Sequence, residues 1–315
     1  QPSMTHDAMA RSVGERARAT APRERAPGEA AHADVSHGDP AQRPDARVAA
    51  LLVLSGLVVG AWSAMCGVGG GVFAVPLLHY GFKLRLKTAV GSSLLLVAAS
   101  TTSATLSELF HRESSLHWGV VITLILASAI GARGGFWVAQ RISANALKLC
   151  FAVALTAVAT HLAFEHGARL ATTAAGIHAL AFTPLEYAAL AGIGLVAGFV
   201  APLLGVGGGL IAVPSLLFGF PALGFLGARA ASMAMSVFTA WQSAFFYRRG
   251  NELAVALAAW LALGALAGGF LGVALVHIDG ASALAQRMLS LTLYLVAARF
   301  AWDVIVARRE RRGAS

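Results

Sequence analysis

From Val48 to Val306 the chain alternates between long apolar stretches and short clusters of charge. Thr88–Ser107, Ser114–Ala132, Leu149–Phe164, Ala230–Tyr247 and Leu253–Ile278 carry no charge at all. A bilayer core takes about 20 apolar residues per helix, so each of these runs predicts one membrane-spanning helix. A further span, Leu284–Val306, carries Arg299 and Asp303, whose i,i+4 spacing lets them pair near a helix end. Two runs break the pattern. Val48–Phe82 and Tyr187–Ala228 are too long for one crossing each, and both hold a glycine cluster followed by proline. One crossing in each brings the total to eight spans. The surplus of each, about half a span, predicts a second membrane-embedded segment.

Composition agrees and narrows the class. Hydrophobic residues make up 57% of the 315, charged residues 12%, and mean hydropathy is +0.70. A soluble domain carries about a quarter charged residues, so a soluble enzyme, a nucleic-acid-binding domain and a disulfide scaffold are excluded. The net charge of +9 is no nucleic-acid signal. Residues 1–47 hold seven Arg and seven acids and cancel, while residues 48–315 hold 17 basic and 8 acidic residues, mostly between apolar runs. Residues 1–46, rich in Ala, Arg and Pro, predict a disordered tail without the apolar core of a signal peptide. Its scattered His6, His32 and His37 read as solvated. Cys66 and Cys150 both lie in apolar runs and imply neither a disulfide framework nor a zinc site. No cofactor is expected.

The two overlong runs are copies of one another. Gly67-Val-Gly-Gly-Gly71 followed by Ala-Val-Pro76 recurs as Gly205-Val-Gly-Gly-Gly209 followed by Ala-Val-Pro214, at an offset of 138. Gly60 and Gly198, and Gly81 and Gly219, keep that offset; Ser92 and Ser232 match at 140, and Gly131 and Gly135 match Gly268 and Gly272 at 137. The chain therefore reads as an internal duplication: a tail over 1–46, a first membrane repeat over 48–166, a second over 185–307 and a basic C-terminal tail over 308–315. The expected fold is an all-α polytopic membrane protein with eight transmembrane helices in two four-helix halves, each half with a Gly/Pro-broken first segment.

Glycine tolerates positive φ and helix breaking. A broken helix frees backbone N–H and C=O groups that lipid cannot satisfy, so such a segment is buried in protein or lines a wet cavity. The half-helices Val72–His79 and Leu210–Phe218 would aim their N-terminal amides, favourable to anions, at that cavity. Interrupted segments at matching positions of two halves point to a transporter's substrate site. The competing reading is close packing through GxxxG, favoured for Gly56/Gly60, Gly131/Gly135, Gly194/Gly198 and Gly264/Gly268/Gly272. For the two GVGGG elements the excess run length and the following proline favour the break. The candidate substrate-binding set is Gly67, Gly69, Gly70, Gly71 and Pro76, with Gly205, Gly207, Gly208, Gly209 and Pro214.

Polar residues near these elements extend the set. Ser92, Ser93 and Ser232 open the spans after the glycines, and their hydroxyls serve either an anion or the backbone. Arg133, inside a Gly-rich span, and Arg229, just after the second Gly/Pro element, are cations suited to a small anionic substrate or to flanking a helix. Lys87 holds the matching place in the first half. Gln242 with Trp241 reads as an interhelical hydrogen-bonding pair. Glu108, His111 and Glu113 lie at a span end, where an interface place is favoured over a proton relay; His161 and Glu165 read as an interface pair, and Cys66 as a small buried residue rather than a thiol that meets a sulfur compound. A Rossmann or P-loop reading fails, since GVGGGV is not GxGxxG and no Lys-Ser/Thr follows. An intramembrane enzyme would need clustered catalytic groups within spans, and the sequence shows none.

In the doubled element Gly67–Pro76 and Gly205–Pro214, followed by Ala89-Val-Gly-Ser-Ser93 and Ala230-Ala-Ser-Met233, the chain resembles the sulfite exporter TauE/SafE family over about residues 48–307. The resemblance implies a multi-span protein of duplicated halves that moves sulfite or organosulfur anions such as sulfonates, with protons as a coupling ion. The expected function is a secondary transporter of a small anion working by alternating access, the alternatives being a passive anion channel or a carrier of a non-sulfur organic anion. Its expected partners are the anionic substrate, the lipid bilayer and protons, with no nucleic acid. Its place is the cell membrane, multi-pass, in a bacterial inner membrane. Eight crossings with the N-terminus inside put ten basic residues within and seven, including Lys83, Arg85 and Lys87, without; four crossings per half make the repeats parallel, a half-span that completes a fifth makes them inverted, and the sequence leaves both open.

Overall fold

The computed structural model describes residues 45–110, 116–143 and 182–278, together with Tyr294, Ala298 and Trp302. The described residues are helical, with no strand among them. In chain order the helices are α1 (Ala46–Cys66), α2 (Gly71–Pro76, prolonged by a π-helical turn Leu77–Gly81), α3 (Leu86–Leu109), α4 (Trp118–Arg141), α5 (Pro184–Leu204), α6 (Gly209–Gly219), α7 (Gly224–Arg249, after a 3₁₀ turn Pro221–Leu223) and α8 (Val255–Val276). Six of them are long and apolar enough to cross a membrane. These match six of the eight expected spans; the other two, 149–164 and 284–306, lie outside the described residues. The expected third span, Ser114–Ala132, is shifted: α4 starts at Trp118 and runs on to Arg141. A charge-free run stops at Arg133, but that side chain is exposed and the helix continues beneath it. Arg141 ends the helix with its guanidinium 3.3 Å over the Trp137 ring, a cation–π contact.

The elements repeat. α1 and α5 keep the offset of the sequence repeat at both ends, as do α2 with its π turn and α6. Small residues set how the copies meet. A Cβ at Gly264, Gly268 or Gly272 of α8 would overlap backbone at Val53, Leu57 and Ala61 of α1 in turn, and Gly131 and Gly135 of α4 lie in the same way against Leu195 and Phe199 of α5. Without a hydrophobic force between helices in lipid, such close backbone approach supplies the packing. The contacts advance together along each pair, so α1 runs parallel to α8, and α4 parallel to α5. The first helix of each set thus packs on the last described helix of the other, and the two sets interleave instead of forming separate lobes.

At the centre α3 and α7 run antiparallel. Gly91 of α3 lies against Tyr247 of α7, Thr102 accepts a hydrogen bond from Trp241 Nε1 at 3.2 Å, and Glu108 meets Arg229. The best 18-residue windows of α3 and of Pro221–Arg249 are 78% and 67% buried, against 39–44% for the other four long helices. These two form the core and the outer four wrap it. Because α3 and α7 are counterparts, their reversal relates the described elements by an approximate two-fold axis perpendicular to the helices.

The direction of α3 corrects the expected alternation. Gly91 approaches Glu252 at the start of α8, and Gly269 of α8 approaches Ser100 and Ser103, so α3 runs parallel to α8 and therefore to α1. Between them α2 doubles back. Gly67 touches Arg229, near one end of the core, while Val75 reaches the Gly205 turn beside Val90 and Ser93, toward the other. The surplus half-span is therefore a re-entrant segment, and Lys83, Arg85 and Lys87 share the side on which α1 begins, not the opposite one. That end also holds Arg47, Arg141, Arg248 and Arg249. Here Lys87 Nζ donates to Gln140 O at 2.9 Å, and Gln140 Nε2 donates to Glu252 Oε2 at 2.5 Å. The two remaining described basic residues, Arg133 and Arg229, lie within helices.

Candidate functional site

The two glycine clusters meet at the centre of the core. α1 stops because Gly67 takes φ 76°, its N–H still closing on Ser63 O at 2.8 Å. Gly69 and Gly70 follow at φ 87° and 78°, and α2 starts at Gly71. The second copy does the same, with φ of 73°, 76° and 92° at Gly205, Gly207 and Gly208. An L-residue held in this left-handed region costs roughly 1–2 kcal/mol, so three such positions in one tight turn demand glycine. Both expected breaks are present, and all eight glycines of Gly67–Gly71 and Gly205–Gly209 are buried.

The turns interlock reciprocally. A Cβ on Gly71 would overlap the carbonyl oxygen of Gly205, and one on Gly209 would strike that of Gly67. Val97 of α3 presses one methyl against both Gly69 and Gly207. Pro76 and Pro214 lie inside the half-helices that leave the two turns, Pro76 half-buried and Pro214 buried.

Breaking a helix strands the last carbonyls before the break, and two in each turn are met by side chains from the core. Ser232 Oγ donates to Gly67 O at 3.0 Å. Ser93 Oγ lies 2.9 Å from Gly205 O and 2.8 Å from Val90 O, its single hydrogen shared between the two carbonyls. The functional counterpart of Ser232 is thus Ser93; Ser92, its partner by sequence spacing, instead accepts from Ala254 N–H at 2.9 Å. One turn earlier, Arg229 Nη1 donates to Ala64 O at 3.0 Å, and Tyr247 Oη donates to Pro202 O at 2.7 Å. Ala64 and Pro202 again keep the offset of the repeat.

Arg229 is fully buried. Its other terminal nitrogen, Nη2, donates to Glu108 Oε2, and Glu108 is only 2% exposed. His277 Nε2 stands 3.9 Å from Glu108 Oε1. Arg229 is therefore enclosed among the helices rather than placed at an open mouth. Arg133, in contrast, lies on the exposed face of α4, away from the glycine turns. Gln242 Nε2 donates to Ala129 O at 3.2 Å, an interhelical bond as its place in a span suggested. Three residues escaped sequence reasoning as parts of the site. Glu108 ends a charge-free run and reads as an interface group, but α3 continues one residue beyond it and keeps it inside. Tyr247 and His277 carried no signal, because their partners Pro202 and Glu108 come from other helices, remote in sequence.

The family description sulfite exporter TauE/SafE matches residues 17–182 and 190–315. The chain belongs to this family. Among curated relatives, it is similar to a protein of Methanocaldococcus jannaschii described as a probable membrane transporter, 28% identical over 173 residues, covering 53% of this chain and 60% of that protein. A protein of Bacillus subtilis with the same description is 28% identical over 189 residues, covering 54% and 68%. Another, of Haemophilus influenzae, is 29% identical over 170 residues, covering 52% and 59%. The chain thus spans about three fifths of the first of these relatives. No solved structure matches it. With six apolar helices long enough to cross a bilayer among its described residues, this member of the TauE/SafE family is a multi-pass membrane protein.

Proposed function

We propose that the protein is a secondary transporter of a small anion, sulfite or an organosulfur anion such as a sulfonate, working by alternating access across a bacterial inner membrane. The observation that carries the reading is the reciprocal packing of the two glycine turns. Two broken helices, one from each repeat, meet at one point in the core, where backbone groups and a buried guanidinium are gathered away from lipid. Arg229 supplies the cation, and the glycine turns with Ser93 and Ser232 form the walls. In this arrangement the walls are closed on one another. Separation of the two turns as the halves rock would expose Arg229 and the carbonyl-bound hydroxyls to an anion.

The full architecture proposed is an inverted pair of repeats, 48–166 and 185–307, each with four crossings and one re-entrant half-helix. Seven basic residues mark one end of the described helices, and this end faces the cytoplasm by the positive-inside rule. The family name and the anion-favouring chemistry of Arg229 support sulfite and sulfonates over cations.

Reconstitution in liposomes tests the reading. Wild-type protein moves sulfite or a sulfonate saturably and accumulates it against a gradient. Gly70→Ala combined with Gly208→Ala, the smallest added side chain at roughly 1–2 kcal/mol of backbone strain each, stops this in the fraction that elutes folded. Unchanged rates in the double variant would refute the glycine-turn site, and flux that never saturates would make the protein a channel.

A further inference from the structure

We propose that Glu108 is the resident counter-ion of the transport site: it holds Arg229 when no substrate is bound, and yields that place to an incoming anion by taking up a proton. The proposal rests on the anion-transport reading above and deepens it.

The pair is buried but incompletely bonded. Arg229 is 1% exposed and Glu108 2%. The guanidinium spends Nη1 on Ala64 O and Nη2 on Glu108 Oε2, while its Nε–H and the second carboxylate oxygen, Oε1, are buried without a hydrogen-bond partner. A pair kept for structure alone would be expected in the two-pronged geometry that uses both carboxylate oxygens. Here a single prong holds the carboxylate, and a donor and an acceptor stay unused in a region where each unmet group is costly. The unused Nε–H suits a second oxygen of a tetrahedral or pyramidal anion, which the single carboxylate prong does not supply.

Charge decides what exchange is possible. The guanidinium stays ionised. If an anion replaced the carboxylate while Glu108 remained charged, two negative charges would share one positive charge inside the membrane, at a high desolvation cost. Protonation removes the conflict. The anion enters the place at Arg229, one proton adds to a carboxylate oxygen of Glu108, and the site is neutral before and after. No bond within the anion changes. Glu108 faces Arg229 of α7 and His277 just past the end of α8, and Arg229 in turn packs against Gly67 at the end of α1. His277 Nδ1 is 2.8 Å from Val273 O and so carries a hydrogen, which leaves Nε2 turned toward Oε1. His277 is 14% exposed, against 2% for Glu108, and provides the proton's way in.

The test uses full-length protein in detergent with methanesulfonate, whose charge is constant from mildly acidic to mildly alkaline pH. Calorimetry of the wild type should show affinity falling about tenfold per pH unit, the slope of one linked proton, with one proton taken up per anion bound. Glu108→Gln, which keeps a hydrogen-bond acceptor for Arg229, should bind without proton uptake and with the same affinity at every pH. Wild-type binding that takes up no proton, or a Glu108→Gln variant that keeps the wild-type slope, overturns the proposal while leaving anion transport standing. Should Glu108→Gln fail to fold, the wild-type proton count decides alone. If the wild type neither binds methanesulfonate nor moves sulfite or any sulfonate in liposomes, the transport reading itself falls and this proposal with it.

Discussion

The two glycine turns are copies in sequence and backbone, yet their surroundings differ. At the Gly67 turn the stranded carbonyl of Ala64 is met by a cation, Arg229, which brings Glu108 and His277 with it. At the Gly205 turn the equivalent carbonyl of Pro202 is met by a neutral phenol, Tyr247, packed on Gly91. Both solutions answer the same requirement, a hydrogen for an orphaned carbonyl in a place without water. One is chemically inert and the other carries an ion pair. Duplication supplied the shared backbone, and divergence at single positions made one turn a lock and the other a charged site.

This contrast can be broken at several levels. The largest effect is expected where the copies must be identical. Gly71→Val would drive a side chain into the Gly205 carbonyl, and a loss of about 5 kcal/mol or more should leave no folded protein in size-exclusion chromatography. Gly81→Val, with only a Leu77 methyl 3.7 Å from its added carbon, should fold.

Next comes the charged turn. Arg229→Leu strands Glu108 in the core and should cost about 3–5 kcal/mol in thermal or denaturant unfolding. Arg229→Leu with Glu108→Leu should regain most of that stability yet move no anion, separating the pair's chemistry from its packing. If the double variant still transports, the Gly67 turn has no special role.

At the neutral turn, Tyr247→Phe removes one hydrogen from Pro202 O. It should cost about 1–3 kcal/mol in denaturant unfolding, less than the loss at the charged turn. Smallest are the hydroxyls. Ser232→Ala should lower stability by about 1 kcal/mol, and Ser93→Ala by less, since its hydrogen is already divided between two carbonyls. Equal losses would show that Val90 O contributes nothing.

Much of this was legible in the residues alone. Run length separated spans from surplus, and the constant offset between Gly67–Pro76 and Gly205–Pro214 identified matching segments. The helix breaks were readable because positive φ in a buried turn leaves glycine as the residue without steric cost. The packing of Gly56 and Gly60 of α1 on Leu261 and Ala265 of α8 was half readable: the motif announces close packing but not its partner. The direction of α3 was not readable, because a half-span of apolar residues can go onward or back with the same composition. That ambiguity put Lys83, Arg85 and Lys87 on the wrong side. Charge-run boundaries also misled at both critical residues: Arg133 interrupts a run yet is exposed, and Glu108 ends one yet is buried.

By itself, then, the sequence determined the class, the repeat and the two breaks, because each follows from local chemistry: apolar length against bilayer thickness, and glycine against backbone sterics. Only the tertiary structure decided that the breaks interlock, that α2 is re-entrant, and that Arg229 of α7 meets Glu108 of α3. Those outcomes depend on which carbonyls are left without hydrogens when helices stop, and on which distant side chains the packing of α3 against α7 brings within reach.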